Sequence, residues 1–582
     1  MYHGIAVSPG VVVAPAYCLD EVIGRAQSSN LTRGDLSSEL ARFESACDDA
    51  AKDLGSLIEK VSFEIGERES AIFRAHLFML RDRAFISKVT ALIIDRGLDA
   101  ASALRQAMHE YEALFSEIQD EYLRERIVDL RDVVSRIQSH LSTDAVAKVV
   151  DFDDPVILVA RELYPSQTVS FGKVKIVGIV TERGGSTSHA AIIARSMGIP
   201  AVSGISDILQ VVKTGDHLAL DGREGLVIVN PGPEAEAAYR KLEREFFDLK
   251  DYLIENRDQS AITTDGVPID LMANINNVTD AKAAGEVGAK GIGLFRTEYL
   301  FMTHPSIPDE EEQFQAYRQI VEASPNQNLT IRTLDLGGDK TVPYLASHRE
   351  ANPFMGWRSI RLSLAHPDFF RRQIRAILRA GAVGNVRLMF PMISTVEELR
   401  RANRFVWQAI EELERAGIPY GENVHRGMML EVPAAAICID QLLKHTDFVS
   451  IGTNDLIQYL MAADRDNPRV AHLCEPLSPA VLRLIRQTVE ACDANGVPLS
   501  VCGEMAGRPR CVLALLALGV KSFSMSPAFV PIIKELVHSV KANDIHALLP
   551  QLLRRRSGDQ IRKFLDGVLR EVNPRLAMLD LI

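Results

Sequence analysis

Two groups of residues in this chain have the types and spacing to do chemistry. The first centres on His189, which follows Gly184-Gly185-Ser186-Thr187-Ser188 and leads into Ala-Ala-Ile-Ile-Ala-Arg-Ser, a stretch that reads as the start of a helix. The glycine pair permits close backbone approach, Thr187 or Ser188 can serve as N-cap, and the free N–H groups and dipole of the helix favour an anion. A phosphate carried on this imidazole would be stabilised. The same positive helix end disfavours imidazolium, so the ring stays neutral and nucleophilic near neutral pH. On the motif alone, the plainer reading of a capping-region histidine bonded to a neighbour stays open.

The second group is spread over the C-terminal half. Arg296 lies in "FRTEYLF", Arg332 precedes "TLDLGGDK", and Arg358 lies in "NPFMGWRSIR". Glu431 ends "GMMLE", Asn454 and Asp455 sit in "GTNDLIQ", Arg465 in "AADRDNP", and Cys502 and Glu504 in "LSVCGE". A lone arginine is usually a surface or ion-pair residue, and a lone glutamate after a strand is often a cap. Together they are more specific, because arginine forks recognise carboxylate and phosphate bidentately. A carboxylate pair is also the usual protein share of a Mg²⁺ shell completed by substrate oxygens and water. The set describes a small, multiply anionic, phosphorylated ligand. Cys502 is either a buried inert thiol or, at a strand end, a proton donor to a substrate carbon.

The elements that must position these residues are legible as changes of texture. In the C-terminal region, short apolar strands alternate with amphipathic helices at 269–275, 291–295, 329–336, 386–392, 427–432, 448–453, 499–504 and 522–526. Eight βα repeats near the ~250-residue size of a closed barrel predict a (β/α)₈ TIM barrel with extra helices, whose chemistry sits at the C-terminal strand ends. Upstream, from about 150, the runs "PVILVA", "KVKIVGIV", "HLALDG" and "GLVIVNPG" predict a compact α/β unit. Residues 35 to 143 contain almost no proline and carry apolar residues at helical spacing, as in "YLRERIVDLRDVVSRIQSHL". That is a helical hairpin bundle, and β-type sequence on both sides, including residues 4–18, makes it an insertion. The resulting division is a multidomain α/β chain: residues 1–25 and 145–230 form the α/β domain, 26–144 the helical insertion, 231–261 a linker helix and 262–582 the barrel.

Composition narrows the possibilities further. The chain has 582 residues, 47% of them hydrophobic, and its 37 glycines and 26 prolines form no low-complexity block, the profile of a globular protein of several domains. A net charge of −12 argues against nucleic-acid binding, which needs a basic footprint. Acidity suits a basic protein partner better, and the first bundle helix, taken as 38–70, holds nine acidic against four basic residues. A solvated face is the simpler reading of that bias. The N-terminus lacks the basic start and apolar core of a signal peptide, and no run approaches the ~18–20 apolar residues of a membrane span. A cytoplasmic location without membrane insertion is the expectation. The seven cysteines are scattered without C-x-x-C pairing, which indicates neither a disulfide framework nor a zinc site.

With these residues in place, "GGSTSHAAIIARSMGIPAVSG" resembles the phosphohistidine segment shared by enzyme I of the phosphoenolpyruvate:sugar phosphotransferase system, phosphoenolpyruvate synthase and pyruvate phosphate dikinase. "GIGLFRTEYLFM", "RTLDLGGDK", "NPFMGWRSIR", "IGTNDLIQYLMAADRDN", "VCGEMAG" and "FSMS" resemble the enzyme I family in particular, and the likeness spans essentially the whole chain. The resemblance implies that His189 accepts the phosphoryl group of phosphoenolpyruvate. It implies that Arg296, Arg332, Asn454, Asp455 and Arg465 line the phosphoenolpyruvate site, Glu431 and Asp455 hold Mg²⁺, and Cys502 protonates the departing enolpyruvate. It further implies a swivelling phosphohistidine domain, docking of the small phosphocarrier HPr on the helical insertion, and a homodimer through the barrel. Ser186 stands where many members carry Arg, and Arg183 could substitute for the missing charge; Ala14 replaces a common Gly. A nitrogen-type enzyme I and a synthase or dikinase relative are the alternatives; no Gly-rich nucleotide loop supports the latter.

Overall fold

The structure is a computed structural model. It describes residues 1–8, 10–19, 36–64, 73, 76–116, 121–141, 155–163, 175–183, 194, 199–304, 306–337, 350, 352–465, 467 and 469–579. The chain divides between Asp248 and Leu249 into two compact units.

The N-terminal unit contains an eight-stranded sheet. Its strands are β1 (Tyr2–His3), β2 (Ile5–Ser8), β3 (Val11–Cys18), β4 (Val156–Ala160), β5 (Ile176–Thr181), β6 (Ala201–Ser203), β7 (His217–Asp221) and β8 (Leu226–Val229), in the order β1-β8-β7-β3-β4-β5-β6-β2. Strand β3 pairs parallel with β4 and antiparallel with β7, so the first strands belong to the same sheet as those after residue 150. Side chains alternate across the pleat. Val12, Ala14, Ala16, Ile157 and Val159 enter one apolar layer, whereas Tyr17, Val156, Leu158 and Ala160 enter the other.

Between β3 and β4 the chain makes a helical excursion through Leu36–Glu64, Arg83–Arg96, Ala100–Ser116 and Glu121–Leu141. These helices have a core of their own, containing Phe43, Leu54, Phe85, Ile93, Leu104 and Ile137. Asp82 starts the Arg83–Arg96 helix by accepting from the Ala84 N–H at 2.6 Å, and Gly97, at φ 64°, ends it in the left-handed conformation a glycine tolerates. After β8, residues Pro233–Glu255 form one 23-residue helix.

The C-terminal unit is built on a closed barrel of eight parallel strands. They are β9 (Asp270–Ile275), β10 (Ile292–Arg296), β11 (Asn328–Arg332), β12 (Asn385–Phe390), β13 (His425–Leu430), β14 (Phe448–Ile451), β15 (Leu499–Val501) and β16 (Ser522–Met525). Six expected strands run past the observed ones: 329–336 stops at Arg332, 386–392 at Phe390, 427–432 at Leu430, 448–453 at Ile451, 499–504 at Val501 and 522–526 at Met525. The period of two carries each strand's inward face upward in steps. Thr330 lies below Arg332, Gly427 and Met429 below Glu431, Phe448 below Gly452, and Ser500 below Cys502. Leu294, Met389, Met429, Phe448 and Cys502 form a small apolar cluster across the interior. Gly427 is required there, because a Cβ would stand 2.3 Å from the Phe448 ring.

Candidate active site

A cavity of about 290 Å³ opens at the C-terminal mouth of the barrel. The structure brings Arg296, Arg332, Glu431, Asn454, Asp455, Arg465 and Cys502 together in its wall, with Asp335, Arg358 and Glu504 beside them. Arg296 and Arg332 close β10 and β11, and Glu431 and Cys502 come directly after β13 and β15. Asn454 and Asp455 occupy the first turn of the helix Thr453–Met461, and Arg465 follows that helix. Cys502 thus belongs to the turn beyond its strand, and Glu504 opens the short 3-10 helix Glu504–Gly507. His189, with the Thr187 and Ser188 proposed to cap it, lies outside the described residues.

The guanidinium groups are fixed by buried carboxylates. Arg332 Nη2 donates to Glu298 Oε1 at 2.9 Å and pairs with Asp335 Oδ2 at 3.1 Å, while its Nη1 meets Met429 Sδ at 3.5 Å. Arg358 Nη2 bridges Asp335 Oδ1 at 3.0 Å and Asp455 Oδ2 at 3.2 Å, and its Nη1 donates to the Tyr459 hydroxyl at 3.1 Å. Burial works against both charges, yet the carboxylates, led by Glu298 for Arg332 and Asp335 for Arg358, outweigh it and hold both above the ordinary guanidinium value. Arg296 is pushed the other way, by burial and by the like charge of Arg332. It is the cation of the group most in need of an anion. Asn454 and Glu504 hold each other reciprocally: Glu504 N–H donates to Asn454 Oδ1 at 3.0 Å and Asn454 Nδ2 to Glu504 Oε1 at 3.3 Å.

Glu298 and Asp335 were not singled out from the sequence. Glu298 looks like an ordinary acidic residue in the first turn of Glu298–Thr303, and its orienting role appears only when β11 lies beside β10. The only signal was its place two residues beyond Arg296. Two non-glycine residues with positive φ also serve this mouth. Ser359, at φ 58°, donates its hydroxyl to Asp335, and Met392, at φ 55°, donates its N–H to Glu431 Oε1 at 2.6 Å. Such conformations cost on the order of 1–3 kcal/mol and persist where packing over-determines them.

Burial and the neighbouring Asp455 and Asp335 carboxylates push Glu431 well above the usual carboxylate range. Asp455 Oδ1 is buried and accepts no hydrogen bond among the described residues, meeting only Arg465 Nη1 as an ion pair at 3.4 Å. Four arginines face Asp335, Glu431, Asp455 and Glu504, which leaves little net positive charge for a phosphorylated ligand. A divalent cation on two of these carboxylates fits both the excess of negative charge and the orphaned oxygen. Among the described residues no three His, Cys, Asp or Glu side chains group to hold a metal by themselves, so substrate oxygens and water would complete the shell. Cys502 is 2% exposed, its Sγ 3.5 Å from the Ile451 carbonyl oxygen. Burial pushes its thiol up to about 11, so it is protonated at neutral pH.

Comparison with known proteins agrees with this geometry. The family model described as the PEP-binding domain of PEP-utilising enzymes matches residues 250–542. Those described as the N-terminal and mobile domains of PEP-utilising enzymes match 3–126 and 152–225. The chain is 41% identical over 524 residues to the phosphoenolpyruvate-protein phosphotransferase of Bacillus sp. (strain S), covering 90% of each chain. It is 38% identical to that of Haemophilus influenzae over 571 residues, 98% of this chain and 99% of the other. Against that of Listeria innocua it is 38% identical over 558 residues, 96% and 97% of the two chains. At that identity and coverage, and with the arginines, carboxylates and thiol gathered at one barrel mouth, the chain belongs to the phosphoenolpyruvate-protein phosphotransferase family.

Proposed function

We propose that this chain is an enzyme that takes the phosphoryl group of phosphoenolpyruvate onto His189 in a Mg²⁺-dependent step and passes it to the carrier HPr, opening sugar uptake by the phosphotransferase system. The observation that carries this reading is the C-terminal barrel cavity, where Arg296, Arg332, Asn454 and Arg465 surround space for a small phosphorylated acid. Buried donors without partners among the described residues, Arg332 Nε and Arg358 Nε, add to its appetite for anionic oxygens.

The arginines hold the phosphoryl and carboxylate groups in line with the incoming imidazole, so the step draws on positioning and charge neutralisation. Mg²⁺ held by Glu431 and Asp455 would supply further neutralisation of the phosphoryl oxygens. The bond between phosphorus and the enol oxygen breaks as the bond to the His189 nitrogen forms. The enolate left behind takes a proton at its terminal carbon from the Cys502 thiol, giving pyruvate, and the thiolate regains its proton from solvent. Glu298 and Asp335 act through Arg332 and Arg358 as positioning residues.

In this reading residues 1–25 and 145–230 carry the phosphohistidine, 26–144 dock HPr, 231–261 link, and 262–582 bind phosphoenolpyruvate and dimerise. Because donor cavity and HPr must both reach His189, the α/β domain swings between them. Among the described residues no helix is long and apolar enough to cross a membrane. In this reading the work is done in the cytoplasm. Incubation with ³²P-labelled phosphoenolpyruvate and Mg²⁺ tests the proposal. Label should enter the wild-type chain and discharge to HPr; no labelled protein, or label surviving in His189→Ala, refutes it.

A further inference from the structure

A second cavity, of about 170 Å³, opens at the opposite, amino-terminal end of the barrel and shares no lining residue with the one above. By the measure in which a water needs about 10–15 Å³, it has room for roughly 11–17 water-sized groups. Arg387, solvent-exposed at the start of β12 on the side of the strand that faces the barrel axis, lines it and places its guanidinium carbon 5.8 Å from the centroid of the Phe448 ring. Among the described residues no carboxylate pairs with Arg387. Asp270, the acid in the same wall, is already neutralised by Lys290 at 2.5 Å. The hydroxyls of Thr330 and Ser522 line the same space, and Met272 and Phe448 give it an apolar side. A bordering cavity of about 180 Å³ also touches Arg387, Thr330, Met272 and Ser522.

The amino-terminal end of such a barrel is ordinarily a packed, stabilising plug. Here a cation without a carboxylate partner among the described residues, two hydroxyl donors and an apolar wall converge on open space. The guanidinium fork matches a carboxylate, the hydroxyls supply further donors, and the methionine and phenylalanine accept a short carbon chain. We infer that the amino-terminal mouth of the barrel is a second ligand site, one that takes a small organic carboxylate. It is independent of the phosphotransfer reading, because the interior cluster of Leu294, Met389, Met429, Phe448 and Cys502 lies between the two cavities.

Butyrate is a suitable probe, with the full-length chain carrying ¹³C-methyl methionine. Met272 reports the lower cavity and Met429 the upper; Met272→Leu assigns the first signal. The Met272 methyl should shift saturably with butyrate, and should do so equally in Arg465→Ala, which impairs only the upper cavity. Arg387→Gln should weaken that binding about tenfold or more, the loss expected for a charge-assisted contact. Thr330→Val, which keeps the shape of the side chain, should weaken it to a lesser extent and replaces the first variant if that one fails to fold. No saturable Met272 shift in the wild-type chain, or a shift unaltered by these substitutions, overturns the inference.

Discussion

Cys502 illustrates how one environment gives a thiol its character. Its side chain shares the barrel interior with Leu294, Met389, Met429 and Phe448, and burial there raises its titration to about 11. A raised thiol is neutral below that value, so it keeps a proton to give and is a poor nucleophile. Inactivation by iodoacetamide at Cys502 should therefore be slow near neutral pH and still be climbing at the highest pH the fold tolerates. A plateau in the ordinary thiol range, about 8.5, would contradict this. Arg183 poses a question of the same scale. Its backbone is anchored beyond β5, the N–H donating to the Arg161 carbonyl at 2.8 Å and the carbonyl accepting from Ser203 Oγ at 3.2 Å, while the residue is exposed. If it supplies the charge that Ser186 lacks, Arg183→Ala should slow phosphotransfer to HPr about tenfold at unchanged thermal stability. Unchanged transfer kinetics would discard that role. Arg296, Arg332, Glu431 and the Asn454-Asp455 pair could be picked out from the sequence because each ends or follows an apolar strand. Glu298 and Asp335 could not, since what distinguishes them is a partner on a neighbouring strand or loop.

At the scale of elements, the eight barrel strands were legible because a short apolar run recurring between amphipathic helices is the pattern of a βα repeat and of little else. Their ends were not. Residues 333–336 continue β11 in composition, yet Leu334 and Leu336 pack with Phe301, Leu362 and Phe369 in a separate cluster. A buried loop is as apolar as a strand, so hydropathy cannot separate the two. Glycine placement carries information that periodicity does not. The Phe448 ring occupies the space beside Gly427, where a Cβ would come within 2.3 Å. Gly427→Ala should cost about 1–3 kcal/mol, as overpacking does, seen as a lowered Tm. Adding Phe448→Leu should return part of that loss; a double variant no more stable than the single one would show that the ring is not what the glycine accommodates.

For the whole molecule, the separation of cores has thermodynamic meaning. The largest apolar cluster draws every member from Ile269 onward, whereas the bundle and the two sheet layers draw theirs from residues before 230. Units with independent cores unfold independently unless something couples them. Scanning calorimetry should resolve more than one transition, and phosphoenolpyruvate with Mg²⁺ should raise only the one belonging to the barrel, by mass action. One shared transition would count against independent unfolding, and a shift of both would count against ligand binding confined to the barrel. The excursion between β3 and β4 has a consequence in time. Every strand that β1, β2 and β3 pair with lies beyond the bundle, and Cys18 N–H donates to a hydroxyl 196 positions downstream. During synthesis, at about 5–20 residues per second, "VVVAPAYC" must wait unpaired for several seconds or more while the bundle emerges and folds ahead of it. The first segment made is thus among the last to be used, and nascent chains stalled within the bundle would carry an unpaired apolar strand, the form most prone to aggregate.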